Sequence, residues 1–522
     1  MDKSKENASA QKSSNKRPRS KRYHNNYRII AVNLFMAISA LALMAVLLLF
    51  AMGYSFKKGS LEQSGLIEIN SNPSGASVQI DENQIFNRTT INRMLSAGKH
   101  KITVTKEGYD TWSKDFMVES GLFTRIDWVR LFPTAPKIET ATELSPLRLS
   151  SFSTNRKRLF VLEENATAAK LFDLQAGKLK PTLLPLHEIL QEVFKGDHPA
   201  SALPKEAKLS HIAWDSTAEK ILFKLELDGK TSWHLVNLSN TKESLNLSNK
   251  FGLSFDKLTL ANDAASKLWA LEQKRLHLID LENANISASL LSDVLDFTNN
   301  QDNLAVIQQQ GQTRALGIYK NGETTTTPVS TLSKDAPVNL LMGTYWGNEW
   351  LAFSDGKTVQ LLGGKYPSIN NPNRKFKPLQ ENLDLTFTPT LFSKNAGGRL
   401  PVFADEDHIM VFDLERKKNF LSTPPAKLSR LDWLDNYLLW IPKENKIFVQ
   451  DFDGQNRREI LPHTILNSPI NLTEDNHYLY YFAPLDDTKA SATTSQTTSS
   501  DHSSPSPQTA PKAITLQRIT LE

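Results

Sequence analysis

The side chains with chemistry to offer are scattered along this chain of 522 residues. Eleven histidines are present, and none falls in a His-Glu-x-x-His helix or in another pair at metal-binding spacing. His211, His234 and His277 lie inside alternating apolar runs, where a histidine is an ordinary strand residue. There is no cysteine, which excludes thiolate metal sites, cysteine nucleophiles, disulfides and lipid attachment through cysteine. No Gly-x-Ser-x-Gly elbow occurs, and no glycine loop followed by Lys-Ser/Thr is available to cradle phosphate. Asp451-Phe452-Asp453-Gly454-Gln455-Asn456 has the look of a calcium loop but lacks the twelve-residue ligand order and flanking helices. It reads as a plain hairpin turn. Trp214, Trp346, Trp350 and Trp433 could line a ligand face. Trp214 and Trp433 sit at equivalent repeat positions, which favours core packing for those two. No catalytic, cofactor or metal site is expected from these patterns.

The elements that would position any site begin with an uncharged run, Ile29 to Phe56, behind a basic N-terminus. A bilayer core needs about 20 apolar residues in a helix, so a transmembrane helix is predicted over 29–54. Residues 1–28 hold nine basic and two acidic groups. They read as a disordered cytoplasmic tail by composition and orient the rest outside by the positive-inside bias. A cleaved signal peptide is the competing reading; the long basic region and the overlong apolar stretch favour an uncleaved anchor. The chain's net charge of +5 comes from this tail, and the remainder is close to neutral. Membrane lipid is the expected partner of the helix, and nucleic acid is not expected as a partner.

After a short spacer from Lys57 to Gly65, period-two alternation appears in Ile67-Glu68-Ile69, Val78-Gln79-Ile80 and Ile102-Thr103-Val104. Turn residues bound these runs, so short antiparallel strands are predicted. Ser71-Asn72-Pro73-Ser74-Gly75-Ala76-Ser77-Val78-Gln79-Ile80-Asp81, Leu95 to Val104 and Lys106-Glu107-Gly108-Tyr109 resemble a PEGA domain over about residues 65–133. Asp81-Glu82 stands where that family has Asp-Gly, and Asn87-Arg88-Thr89-Thr90 where it has Gly-x-Thr-Pro. The resemblance implies a small β-sandwich in a cell-envelope protein, with Pro73, Gly75, Ala76, Gly98, Gly108 and Tyr109 as structural positions. Gly75, Gly98 and Gly108 fall where positive φ is expected.

From about residue 145 the chain repeats. Leu209 to Trp214 matches Leu428 to Trp433, and an apolar second-strand run recurs eight times, from Leu159-Phe160-Val161-Leu162 to Tyr478-Leu479-Tyr480-Tyr481. From residue 221 onward the spacings are about 36 to 50 residues, against roughly 40–50 for four-stranded propeller blades. The unit resembles a TolB-like or WD-repeat-like blade. A β-propeller is therefore predicted over 137–522, with eight blades and seven as the alternative. The overlong first interval suggests a helical insertion over 183–195. Residues 488–512 are low in complexity and read as a disordered loop. The final run Ala513 to Glu522 alternates, and a strand near Ile138 is expected to pair with it near Leu516 and close the ring.

The expected protein is an all-β ectodomain behind one membrane helix, in a bacterial envelope. Its expected role is to bind or scaffold an envelope protein or cell-wall glycan. The alternatives are a propeller hydrolase or lyase acting on envelope glycans or peptides, and a signalling role through a cytoplasmic partner. An enzyme should show convergent polar groups with shifted titration, and a binder an aromatic or apolar patch on one face.

Overall fold

The computed structural model describes residues 20–521 apart from 52, 58–59, 176, 191–201, 372, 381–382, 463, 466–467 and 486–512. Two compact units are present: Met1–Val104 with Asp115–Val129, and Thr105–Lys114 with Arg130–Glu522.

In the first unit, helix α1 spans Ser20–Ala51. Its stretch Tyr27–Ala51 has a mean hydropathy of 2.7 and is not buried, as suits a membrane anchor or a signal sequence. The helix takes in residues 20–28, which composition alone placed in the disordered tail. A helix nucleated by the apolar stretch extends by one hydrogen bond per added residue, at low cost. It also stops short of residue 54: Gly53 turns left-handed at φ +82° and its N–H reaches the Phe50 carbonyl at 3.0 Å, a helix end that glycine permits.

The expected spacer is instead part of a hairpin. β1 (Tyr54–Lys57) pairs with β2 (Ser60–Asn72), Tyr54 opposite Gln63 and Lys57 opposite Ser60. The run is too polar to alternate, so it carried no strand signal. β2 also pairs with β5 (Ile91–Ser96) and β8 (Phe123–Arg130). A second sheet has the order β4 (Asn83–Arg88), β3 (Ser77–Ile80), β6 (Gly98–Thr105), β7 (Trp112–Val118). Ile67, Ile69, Val78, Ile80, Ile102, Val104 and Ile126 are buried as the alternation requires. Phe116 and Trp128 join the two sheets, ring centroids 6.4 Å apart.

The second unit is a β-propeller. Eight sheets of at least four antiparallel strands follow one another among the described residues, spanning 147–185, 208–246, 257–286, 294–332, 340–384, 391–422, 432–461 and 471–520. Every predicted second-strand run is the second strand of one of these. First strands of neighbouring sheets touch, as in the first and second, fourth and fifth, and fifth and sixth sheets; the first strands therefore form the inner edge. Apolar clusters bridge successive sheets. One joins Phe160 and Leu162 to Ile221 and Phe223, the next Leu222 and Trp233 to Leu268 and Ile279.

The eighth sheet brings together the earliest and the latest strands of the propeller. Its order is Asn471–Leu472, Tyr478–Pro484, Ile514–Thr520 and β9 (Lys137–Leu144). Ile138 pairs with Ile519 and Thr142 with Leu516, so the expected closure holds with a shift in register. A cluster of Leu144, Leu159, Val161, Phe172, Tyr480, Phe482 and Leu516 seals the eighth sheet to the first.

The helical insertion over 183–195 is corrected in its first part. Thr182–Pro185 is the fourth strand of the first sheet, Leu183 exposed and Leu184 buried, and only Leu186–Ile189 is helical. A strand and a helix of leucines share the same composition, and four residues of alternation were too few to separate them. Residues 191–195 and the loop 488–512 lie outside the described residues.

Candidate functional site

The turns between first and second strands form one set at one end of the propeller, and most share a device. Ser153 Oγ accepts from the Arg158 amide at 2.9 Å, Asp215 Oδ1 from Lys220 at 2.8 Å and Asn262 Oδ1 from Lys267 at 3.2 Å. Asn395 Oδ1 accepts from Leu400 at 3.0 Å and Thr473 Oγ1 from Tyr478 at 3.0 Å. A short polar side chain thus satisfies the N–H five residues on, at the start of the second strand or, for Asn395, just before it, the local bonding Ser, Thr, Asn and Asp favour. In the seventh sheet Asp435 does the same for Tyr437 and Leu438, each at 2.8 Å. This spacing is visible in the sequence and was missed as a repeat marker.

Neighbouring turns are also tied together. The Ser216 amide donates to the Asp263 carbonyl at 3.0 Å, Asn155 Nδ2 to Ser216 at 3.3 Å and Asn395 Nδ2 to Asn436 at 2.9 Å. Among the turns of the first four sheets lies a cleft of about 220 Å³ lined by Thr154, Trp214, Asp215, Ser216, Asn262, Asp263 and Gln301 among others. It is below the roughly 300–1,000 Å³ of ordinary small-molecule sites. Asp215 is buried and bonded within its own turn, and no nucleophile–base pair faces the cleft. It can hydrogen-bond a hydroxyl or amide at the edge of a larger partner.

The fifth sheet's turn differs. Trp346-Gly347 joins Tyr345 to Asn348 as a two-residue hairpin, with φ of +47° and +72°. This is a type I′ geometry that favours Asn-Gly, and a bulky residue there is an outlier. Trp346 is 85% exposed, against 2% for Trp350. Of the four tryptophans considered from sequence, Trp350 is core, its Nε1 bonded to the Gly398 carbonyl at 3.0 Å. Trp214 is mostly core, with Nε1 on Ser151 Oγ at 2.9 Å, and also edges the cleft. Trp433 is half-buried in a two-residue first strand. Trp346 alone of the four stands clear of the fold.

The three histidines expected in strands lie there. His234 is buried, stacks on Phe223 and is pushed down to about 4 by burial, so it is neutral. His277 is bonded to the Ser287 carbonyl at 3.0 Å. His211 sits at a bulge with φ +50°. Among the described residues, no group of three or more His, Asp or Glu side chains could hold a metal ion.

The calcium-like run is a hairpin turn, as expected, but its carboxylates are not idle. Within the second unit, Trp112 Nε1 donates to Asp451 Oδ2 at 3.0 Å, the Ser113 amide to Asn456 Oδ1 at 3.2 Å, and Lys114 pairs with Asp453. Burial pushes Asp451 up to about 6, with Lys114 and the Asn456 bond opposing. Arg130 pairs with Asp435 at 3.0 Å and donates to Asn476 at 2.9 Å. These pairs, more than 300 residues apart in sequence, fasten Thr105–Lys114 and Arg130 to the turns of the seventh and eighth sheets.

The PEGA positions behave as backbone devices. Gly75, Gly98 and Gly108 have φ of +76°, +136° and +80°. Ala76 is fully buried, Asn72-Pro73 is cis, and Tyr109 donates to the Leu521 carbonyl at 3.1 Å. Asp81 and Glu82 take positive φ without glycine, at 48° and 69°. The Lys101 amide donates to Asp81 at 2.9 Å and His100 bonds its other oxygen, which together hold its carboxyl below the usual range.

The family model for the PEGA domain matches residues 64–129. No curated protein matches the chain. Similar solved structures include the Dos1 propeller, at 12% identity over 73% of this chain and 93% of that one, TM-score 0.42. Another is the Cps50 (Swd1) β-propeller domain of Myceliophteria thermophila, at 9% over 62% and 98%, TM-score 0.37. AztD of Citrobacter koseri is similar at 12% over 70% and 91%, TM-score 0.38. This is a β-propeller protein with a PEGA domain and one apolar N-terminal helix; such likenesses carry nothing about ligand or activity.

Proposed function

We propose that this chain is a membrane-anchored binding protein of a bacterial cell envelope. Helix α1 is an uncleaved anchor with its basic end in the cytoplasm, and the propeller lies outside. The first-to-second-strand turns form the binding face. The partner is an envelope protein or cell-wall glycan that packs on Trp346 and hydrogen-bonds along the cleft at Asp263 and Gln301.

Trp346 is the observation that carries this reading. Exposed aromatics anchor interfaces, and this one occupies a turn whose backbone opposes it. Asparagine would relieve the backbone, so Trp346 has a use that costs stability. Binding of the full chain to isolated cell-wall glycan and to extracted envelope proteins tests it. Trp346→Asn should raise the melting temperature and abolish the specific capture. Capture that survives Trp346→Asn would remove this face from the reading, and turnover of a glycan or peptide panel would replace binding with catalysis.

A further inference from the structure

The first unit carries an apolar rim on the outer face of its β2–β5–β8 sheet, immediately where α1 ends. Leu66, Met94, Leu122 and Phe123 are 38%, 53%, 52% and 58% exposed. Leu66, Met94 and Phe123 lie on the face opposite the buried Ile67, Ile126 and Trp128, and Leu122 is the exposed residue that leads into β8. Leu66 and Met94 are cross-strand partners, so they share a face, and the Leu66 amide donates to the Leu122 carbonyl at 2.9 Å.

The patch is continuous with the helix. The Ser64 amide donates to the Gly53 carbonyl at 2.8 Å. A side chain added at Gly53 would meet Met94 Cε at 3.3 Å and the Ser64 carbonyl at 3.2 Å. α1 therefore runs into β1 and β2 through Gly53, with the tip of Met94 beside the helix end.

Further from the helix end the same face turns polar. Glu68 lies two residues beyond Leu66, opposite Asn92, and Arg125 lies two beyond Phe123. Arg125 and Glu68 pair at 3.0 Å. Two strand residues cover about 7 Å. The polarity thus switches over a distance comparable to one headgroup layer, roughly 5–8 Å from the difference between the whole bilayer and its hydrocarbon core.

We infer that Leu66, Met94, Leu122 and Phe123 seat the first unit on the lipid bilayer that α1 enters, with the apolar rim in the headgroup boundary and the Arg125–Glu68 pair above it. The inference rests on α1 being a membrane anchor. The occupant is lipid because the patch continues the apolar surface of α1 and its polar border lies on the side away from the helix. Seating would fix the angle at which the sheet leaves the membrane, beyond what one helix can do.

The absence of cysteine makes single-cysteine labelling clean. Full-length Leu43→Cys, Leu122→Cys, Phe123→Cys and Lys99→Cys, each carrying an environment-sensitive fluorophore, are placed in vesicles of phosphatidylcholine and phosphatidylglycerol. A nitroxide lipid is then added as quencher. Loss of emission at positions 43, 122 and 123, with none at 99, is the expected result. Loss at 43 alone overturns the seating and leaves the anchor standing. No loss at 43 overturns the anchor, and the seating with it. Protection of 122 and 123 from an aqueous quencher in detergent, reversed by dilution, would assign the patch to a second copy and also overturn the seating. These substitutions are at exposed positions, and an unchanged melting temperature verifies the fold.

Discussion

Two arginine–carboxylate pairs in the propeller have the same chemistry and different weight. In the sixth sheet Arg399 grips Asp413 with two parallel bonds, Nε–Oδ1 at 2.9 Å and Nη2–Oδ2 at 2.7 Å, and Asp413 is fully buried. In the closing sheet Arg518 reaches Glu139 through a single oxygen, at 3.1 and 2.9 Å, with a third of the Glu139 side chain open to solvent. The closing sheet does not depend on that pair. Its joint is a seven-residue ladder between Ile514–Thr520 and β9, with an apolar cluster beneath. The sixth sheet has placed a charge where water cannot reach it, and must keep it compensated. Burial, not the identity of the pair, decides what each contributes.

Removing the ladder should have the largest effect. Deleting 514–522 strips the third strand from the eighth sheet, exposes Phe482 and Tyr480, and leaves β9 with no strand to pair with. The expected outcome is loss of cooperative unfolding in calorimetry. A single transition at the wild-type temperature would mean that the ring does not need its closing strand.

Arg399→Met should come next. It leaves buried Asp413 with the Arg416 guanidinium at 3.6 Å and the Glu415 amide at 3.0 Å, and a broken buried pair costs roughly 3–5 kcal/mol. Adding Asp413→Leu should recover much of the loss in denaturant titration. A double variant no better than the single one would show that packing, not charge, sets the cost.

The repeats and the closing strand were legible because strands buried on both faces read as short apolar runs, and Ile514 to Leu521 alternates cleanly. Less was legible where polarity hides a strand, as in β1–β2, or where leucines fit two periods, as at Leu183–Leu184. Leu428–Trp433 matches Leu209–Trp214 in sequence but not in pairing: the former yields only the two-residue strand Asp432–Trp433, the latter a full first strand. The roles of Asp451 and Asp453 were invisible, since their partners Trp112 and Lys114 lie far away in the chain. Trp346 could be singled out as an aromatic, but its exposure depends on the hairpin register that puts it in a turn.

A smaller effect separates the seventh sheet from both pairs. Asp451 holds its proton more tightly in the folded chain, near 6, than at its ordinary 3.8. Its contribution to stability is therefore full below about pH 4 and lost as pH rises through about 6. His234 runs the other way: pushed down to about 4 from 6.5, it contributes fully above about pH 6.5 and loses this as pH falls through about 4. Asp451→Asn keeps an acceptor for Trp112 Nε1 and removes the ionisation, so the variant should gain up to about 3 kcal/mol relative to wild type at neutral pH and little near pH 4. Melting curves across that range decide it; parallel profiles for the two proteins would mean that Lys114 keeps Asp451 ionised throughout.

The exposed pair should matter least. Glu139→Gln removes the charge that Arg518 faces while leaving the β9 ladder, whose bonds are made by backbone groups, intact. Arg518 also donates to the Gly177 carbonyl at 3.1 Å and lies over the Tyr478 ring at 4.7 Å, so its side chain keeps other contacts. The variant should melt with the wild type, and any small difference should vanish at high salt, where exposed charges are screened. A loss comparable to that of Arg399→Met, persisting in salt, would show that the closing joint is held by charge after all and would erase the contrast between the two sheets.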